Sequence, residues 1–398
     1  MAPARVLAPS TSGGPGRTRH RRRALSSLVA VAAAATLSTA TIAVTSTAGA
    51  SPQHRGSSHH SFLATLDEPS TIGSTVPPTG DVNPYGIATV PWSIGDLVRG
   101  DTLVSNFNSK VNLQGTGTTI VELSRTGALT VFANLNGNLP GACPGGVGLT
   151  TALAVLPGGY VVVGSLPVTN NGSGTPEAGC LIVLNSHGQA IETWSGGAIN
   201  GPWDLTARSF GHFTELFVTN VLNGTVAAAP GPTNQGTVVR IGVWSGFHHA
   251  PTLVSERVIA TGFSEQLNTA ALVIGPTGVA LGWDGTLYVA DTLHNRIAAI
   301  PHALWRHTAF PGGGNTVSMG GGLNSPLGLI TAPNGHLIAV NGGDPNAVEV
   351  SPDGAQVDVA KLDPLGNAGD LFGLTLTPSG HGILFVDDGD NTLRLLAQ

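Results

Sequence analysis

Charge is what this sequence has least of. Asp, Glu, Lys and Arg together make up 10% of its 398 residues, too little for long, solvated helices. Lysine is nearly missing, with Lys110 and Lys361 the only two. Neither sits in a phosphate-binding loop. The chain also lacks a Gly-x-Ser-x-Gly elbow, a His-Glu-x-x-His zinc site and a dinucleotide-binding glycine fingerprint. These gaps remove the compact catalytic signatures, although an active site assembled from distant residues stays open. Cysteine is limited to Cys143 and Cys180. No Cys-x-x-Cys spacing is present, so one disulfide is expected, with paired metal ligation the weaker alternative.

What is present is apolar and full of turns. Hydrophobic residues are 41% of the chain, alongside 56 Gly and 27 Pro. That combination suits many short strands joined by tight turns. Residues 1–23 hold six arginines and no acid, and an apolar run follows from Ala24 to Val44. Ala48-Gly49-Ala50 then offers a small-x-small cleavage site. Together these predict a signal peptide over residues 1–50 and an exported protein, secreted or held in a bacterial cell envelope. An uncleaved anchor is the alternative. Residues 51–60 read as a flexible polar linker and 61–398 as a single domain. Cleavage removes six arginines and moves the net charge from −6 to −12. So acidic a protein is a poor partner for nucleic acid or an anionic membrane. No membrane span is expected after cleavage, and a monomer is expected.

The most informative stretch is Gly282-Trp283-Asp284-Gly285-Thr286-Leu287-Tyr288-Val289-Ala290-Asp291, followed by Asn295-Arg296-Ile297. Asp284-Gly285 is a turn pair, since Gly accepts positive φ. The residues after it alternate as a pleated strand does. Related units recur. Their equivalent positions Gly86, Gly148, Asp204, Gly278, Gly328 and Gly373 lie 45 to 74 residues apart, around the period of four-stranded propeller blades. The third unit is stretched by an insertion from Val243 to Leu253. The last runs out at Gln398 after about three strands. A strand from Ser61–Thr75 is therefore expected to complete it, which removes an unpaired edge. The predicted fold is all-β: a six-bladed β-propeller of four-stranded antiparallel blades, closed by an N-terminal strand. A β-sandwich or two small β domains is the alternative. The Tyr288-Val289-Ala290-Asp291-Thr292 and Asn295-Arg296-Ile297 steps resemble an NHL repeat, and the chain is similar to exported members of the six-bladed SMP-30/gluconolactonase-like superfamily.

Site candidates are the polar residues that end the second strands: Asn106, Asn220, Asp291, Asn341 and Asp387. If the blades are equivalent, these share one face. Their oxygens suit Ca²⁺ or another divalent cation, or the hydroxyls of a polar ligand. The competing reading is that each side chain bonds its own turn. Trp203-Asp204 and Trp283-Asp284 could line a binding face, although such tryptophans more often pack between blades. His212, His294, His336 and His381 sit at or beside turns, where exposure is the default. His248 and His249, with Trp244 and Phe247, could cap a pocket or pack on the surface. The NHL resemblance implies a rigid, non-enzymatic scaffold for a protein, carbohydrate or small polar ligand. The gluconolactonase resemblance implies the alternative, a divalent-metal-dependent hydrolase or lyase with Glu, Asn and Asp ligands in the central channel. Asn83-Pro84-Tyr85-Gly86 stands where that family's leading Glu element is expected.

Overall fold

Turn chemistry cuts the chain into short strands. Asp284 shows the device: its Oδ1 accepts the Thr286 amide at 2.9 Å while Gly285 takes φ +82°. The computed structural model describes residues 60–137, 139–169, 174–246 and 249–398. The leader, nearly all of the linker, Phe247 and His248 lie outside the described residues.

Six antiparallel sheets result. From the inside outward, blade 1 holds Val82–Thr89, Thr102–Asn108, Thr119–Leu123 and Leu129–Asn134, and blade 2 holds Leu149–Leu156, Tyr160–Ser165, Cys180–Leu184 and Ala190–Trp194. Blade 3 holds Pro202–Phe210, Phe213–Asn220, Thr233–Gly246 and His249–Asn268, with an added fifth strand, Leu272–Ile274. Blade 4 is Pro276–Leu281, Leu287–Asp291, Arg296–Ile300 and Asn315–Met319, and blade 5 is Pro326–Thr331, Leu337–Asn341, Asn346–Val350 and Gln356–Lys361. Blade 6 is Leu371–Leu376, Gly382–Asp387 and Thr392–Ala397, completed by Ser70–Ser74 from the other end of the chain. Each inner strand packs against the next, and that of blade 6 returns to blade 1, so the ring closes as a six-bladed propeller. The expected N-terminal closing strand is there, pairing Ser70 with Leu395 and Ser74 with Thr392.

Every inner strand carries a bulge near its start. The bulge lets neighbouring inner strands approach closely, and Gly makes room for it. A Cβ on Gly278 would lie 2.1 Å from the Leu327 carbonyl, and one on Gly373 would lie 2.2 Å from the Tyr85 carbonyl. Register corrects one expected equivalence. In blade 2 the bulge absorbs Thr150, Thr151 and Ala152, so Ala152 rather than Gly148 matches Asp204. The described residues of the Val243–Leu253 insertion extend a long two-stranded ribbon in blade 3, pairing Val243 with Leu253 and Gly246 with His249. Cys143 and Cys180 form a disulfide that ties the blade 1–2 connection to the third strand of blade 2. No helix among the described residues is long and apolar enough to cross a membrane.

Candidate functional site

The two ends of the central channel differ. The end where inner strands begin is called the upper mouth. There the bulges aim Tyr85, Trp203, Leu327 and Phe372 inward, and all four are buried. Tyr85 stacks between Phe107 (4.4 Å between ring centroids) and Phe372 (3.8 Å). The connection from blade 3 to blade 4 folds over this plug. Ala271 and Val273 join the same apolar cluster, and Trp203 Nε1 donates to the Val273 carbonyl at 3.0 Å. Across the face, Gln114 of blade 1 donates to the Thr269 and Ala270 carbonyls at 3.0 and 2.6 Å. The upper mouth is therefore filled and covered.

The lower end is open. It leads into a cavity of about 440 Å³ lined by all six inner strands, a volume suited to a small molecule. Each inner strand is an edge of its sheet, so its outward N–H and C=O groups face the cavity without a ladder partner. Thr89, Thr206, Thr331 and Thr375 add hydroxyls, and Trp283 stands at the rim. Among the described residues Asp204 is the sole ionisable side chain in the lining. It occupies a bulge position held by Gly in four other blades. Its Oδ1 accepts the Leu205 amide at 2.8 Å and its Oδ2 accepts the Val279 amide of the next blade at 3.2 Å. Burial pushes its pKa up to about 8, against the opposing pull of those two amides. At neutral pH the carboxyl is mostly protonated, and the cavity wall carries almost no net charge.

The five residues singled out at second-strand ends sit at the upper end and are fully buried. Each has local partners. Asn220 Oδ1 accepts the Asn200 amide and Asn341 Oδ1 accepts the Asn324 amide, both at 3.0 Å. Asn106 Nδ2 donates to the Thr75 carbonyl at 3.1 Å. Asp291 takes Arg296 Nε at 2.7 Å, and Asp387 Oδ1 takes the Gly389 amide at 3.0 Å. Blade 2 has Ser165 at this position, whose Oγ accepts the Gly148 amide at 2.9 Å. In blades 2, 3 and 5 the side chain thus clamps the loop that enters the blade's inner strand. Among the described residues no hydrogen bond joins any two of the five.

Residues 274–300 match the NHL repeat family. These residues include the inner three strands of blade 4. No curated protein matches the chain. Among solved structures, the propeller is similar to a gluconolactonase from Xanthomonas campestris, with 16% identity, a TM-score of 0.51, and coverage of 83% of this chain and 89% of the other. It is also similar to regucalcin, a calcium-binding protein from Agrobacterium tumefaciens, with 14% identity, a TM-score of 0.51, and coverage of 82% and 93%. A luciferin-regenerating enzyme gives 10% identity, a TM-score of 0.53, and coverage of 83% and 95%. At these identities the likeness shows a shared fold.

The residues of this propeller do not fit a cation on the channel axis. The upper mouth presents aromatic and aliphatic side chains, and the lower cavity a single carboxyl. The carboxylates that do converge lie off the axis in blade 6, a group the sequence did not reveal. Oxygens of Asp363, Asp370 and Asp387 lie within 4.8 Å of one another. Arg394 is already among them, with Nη1 3.2 Å from Asp363, Nε 3.2 Å from Asp387 and Nη2 2.6 Å from Asp390. Burial pushes Asp387 up to about 7, with Arg394 opposing and Asp390, Asp363 and Asp370 adding to it. Three carboxylates offer the right donor type for Ca²⁺, which takes six to eight oxygens, but the guanidinium supplies the compensating charge here. The turn histidines are not in the channel lining. His294 Nδ1 lies 3.0 Å from Asp291, and His212 packs its ring on Trp244. His336, expected at the surface, is buried with Nδ1 2.7 Å from Glu349 Oε1, because that carboxylate is the hub of the N-terminal anchor.

Proposed function

We propose that the protein is an exported, non-enzymatic binding propeller that takes a small, uncharged polar ligand at the lower mouth of its channel. The observation that carries this reading is the asymmetry of the channel. One end is sealed by a stacked aromatic plug, while the other opens on a polar cavity with an exposed tryptophan at its rim. A hydrolase would need carboxylates converging with a histidine or a cation, and among the described residues the cavity lining has one carboxyl and no histidine. A binding role needs a rigid wall with unspent hydrogen-bonding groups, and six strand edges supply it. Export is supported by the arginine-rich leader sequence and by the Cys143–Cys180 disulfide, which belongs to an oxidising compartment.

The test is a melting-temperature screen of residues 51–398 against neutral polyols and sugars, organic anions and organic cations. Ala207→Trp, which adds bulk at the wall of the lower mouth, serves as the blocked control. A neutral compound should raise the melting temperature of the parent chain and leave Ala207→Trp unmoved. A response confined to charged compounds, or one that Ala207→Trp retains, would overturn the proposal.

A further inference from the structure

The lower face of the propeller carries aromatic side chains out of proportion to an aromatic-poor chain. Trp283 is 70% exposed and Trp305 is 72% exposed. Trp244 and Phe210 are about half exposed. Trp283 and Trp305 sit in the loops after the first and third strands of blade 4, and Phe210 and Trp244 lie at or near the ends of the first and third strands of blade 3, which places all four on the lower face. Exposed indoles of this kind are costly to leave in water and mark contact surfaces.

The loops that carry the two tryptophans of blade 4 are tied down. Their loops are joined, since the Ala303 amide donates to the Gly285 carbonyl at 3.0 Å. Arg240 of blade 3 donates to the Ala303 carbonyl at 2.9 Å and also to that of Leu304. Arg306 spends its Nε and Nη2 on the Pro301 carbonyl at 3.1 and 2.7 Å. The Trp283 ring reaches toward the Gly335 turn of blade 5 and so stands directly at the mouth. Trp305 follows further out along the same blade. Rigid rings lose little entropy when they are covered.

Building on the binding role proposed above, we infer that the ligand is a neutral carbohydrate chain, its end residue seated in the channel mouth and the following sugars laid across Trp283 and Trp305. The chemistry on both sides matches. A sugar ring has an apolar C–H face, which covers an indole, and a rim of hydroxyls, which need donors and acceptors. The mouth offers both kinds of group from strand edges, threonines and the protonated Asp204, with no fixed charge to select an ion. The arginines beside the tryptophans already hold backbone carbonyls with some of their donors.

The probes are dextran, laminarin, xylan, galactomannan and anionic polygalacturonate, each cast into native gels through which residues 51–398 migrate. At least one neutral polysaccharide should retard the parent chain. Trp283→Ala should weaken that retardation by about tenfold or more, as for a central aromatic anchor, and Trp305→Ala by a smaller factor. Val359→Ala, on the outer strand of blade 5, should change nothing. Retardation that survives both tryptophan substitutions, or retardation by polygalacturonate alone, would overturn the inference. So would the absence of retardation where a small neutral compound still stabilises the parent chain but not Ala207→Trp; in that case the channel reading stands without the polysaccharide. If neither assay shows binding, both readings fall.

Discussion

Glu349→Ala is expected to lower stability by about 3–5 kcal/mol, the usual cost of removing one partner from a buried charged network. Glu349 is fully buried at the lower end of blade 5 and gathers the start of the ordered chain. Its Oε1 accepts the Phe62 amide at 2.9 Å, Asn334 Nδ2 at 2.8 Å and His336 Nδ1 at 2.7 Å. Its Oε2 accepts the Leu63 amide at 2.8 Å and Ser61 Oγ at 2.7 Å. Burial raises its pKa, but the Phe62 and Leu63 amides and the Asn334 and Ser61 side chains outweigh burial and leave it lowered. Alanine would strand these donors and loosen Phe62 and Leu63 from the cluster they share with Phe385 and Leu396. The segment they anchor leads directly into Ser70–Ser74, the strand that closes the ring. Thermal melting at neutral pH should show a fall of about 10 °C for a chain of this size. Glu349→Gln, which keeps one acceptor, should fall less. A change under about 2 °C in Glu349→Ala would contradict the anchoring role.

The second large effect is on the pH dependence of stability. Asp204 is pushed up to about 8 and Glu265 to about 7, both first by burial. Asp388 is likewise moved to about 7, by burial and then by Asp370 and Asp387. A carboxyl whose folded pKa is raised binds its proton more tightly in the folded state. Its contribution is complete below the unfolded pKa, near 4, and is lost as pH rises through the folded value. Glu349 runs the other way, and its contribution is lost as pH falls below about 4. Stability should therefore peak in mildly acidic solution and decline from about pH 5 to pH 9. For Asp204, a shift of about four units corresponds to a loss on the order of 5 kcal/mol across that window. Asp204→Asn is uncharged at every pH, so its melting temperature should change less over the same range, by about 10 °C. The comparison is of slopes, because asparagine also faces one amide with a donor. Parallel curves for the two proteins would show that Asp204 ionises freely in the channel.

Blades were legible in the sequence because local chemistry makes them. Turn pairs such as Asp284-Gly285 and Asp353-Gly354, set between alternating strands, fix hairpins without long-range information. The closing strand was legible for a topological reason, since a last unit that ends at Gln398 after three strands leaves an edge to be paired. The bulges were not legible. They depend on how closely inner strands approach one another, and in blade 2 the extra bulge residue moved the true equivalence to Ala152. The plug was hidden for the same reason, because Tyr85, Trp203 and Phe372 meet only when the ring closes. Asp204 read as one polar residue beside a tryptophan, and nothing local marks it as the single carboxyl of the channel. The Asn and Asp at second-strand ends were visible as a pattern, and the structure finds them buried and bonded to nearby backbone or, for Asp291, to Arg296. Trp203 and Trp283 illustrate the limit best. Each precedes an Asp, yet one lies inside the plug and the other stands in solvent, because one falls within a bulge and the other in a turn.

The asymmetry of the channel can be tested without knowing the ligand. The described chain has no free cysteine, so single cysteines can be placed at Thr331 on the lower cavity wall and at Leu327 in the upper plug. The rate of reaction of each with iodoacetamide, a small neutral reagent, is then measured under native conditions. Rapid modification of Thr331→Cys, with Leu327→Cys protected until the protein unfolds, is the predicted result. Equal rates, or a reactive Leu327→Cys beside a protected Thr331→Cys, would contradict it.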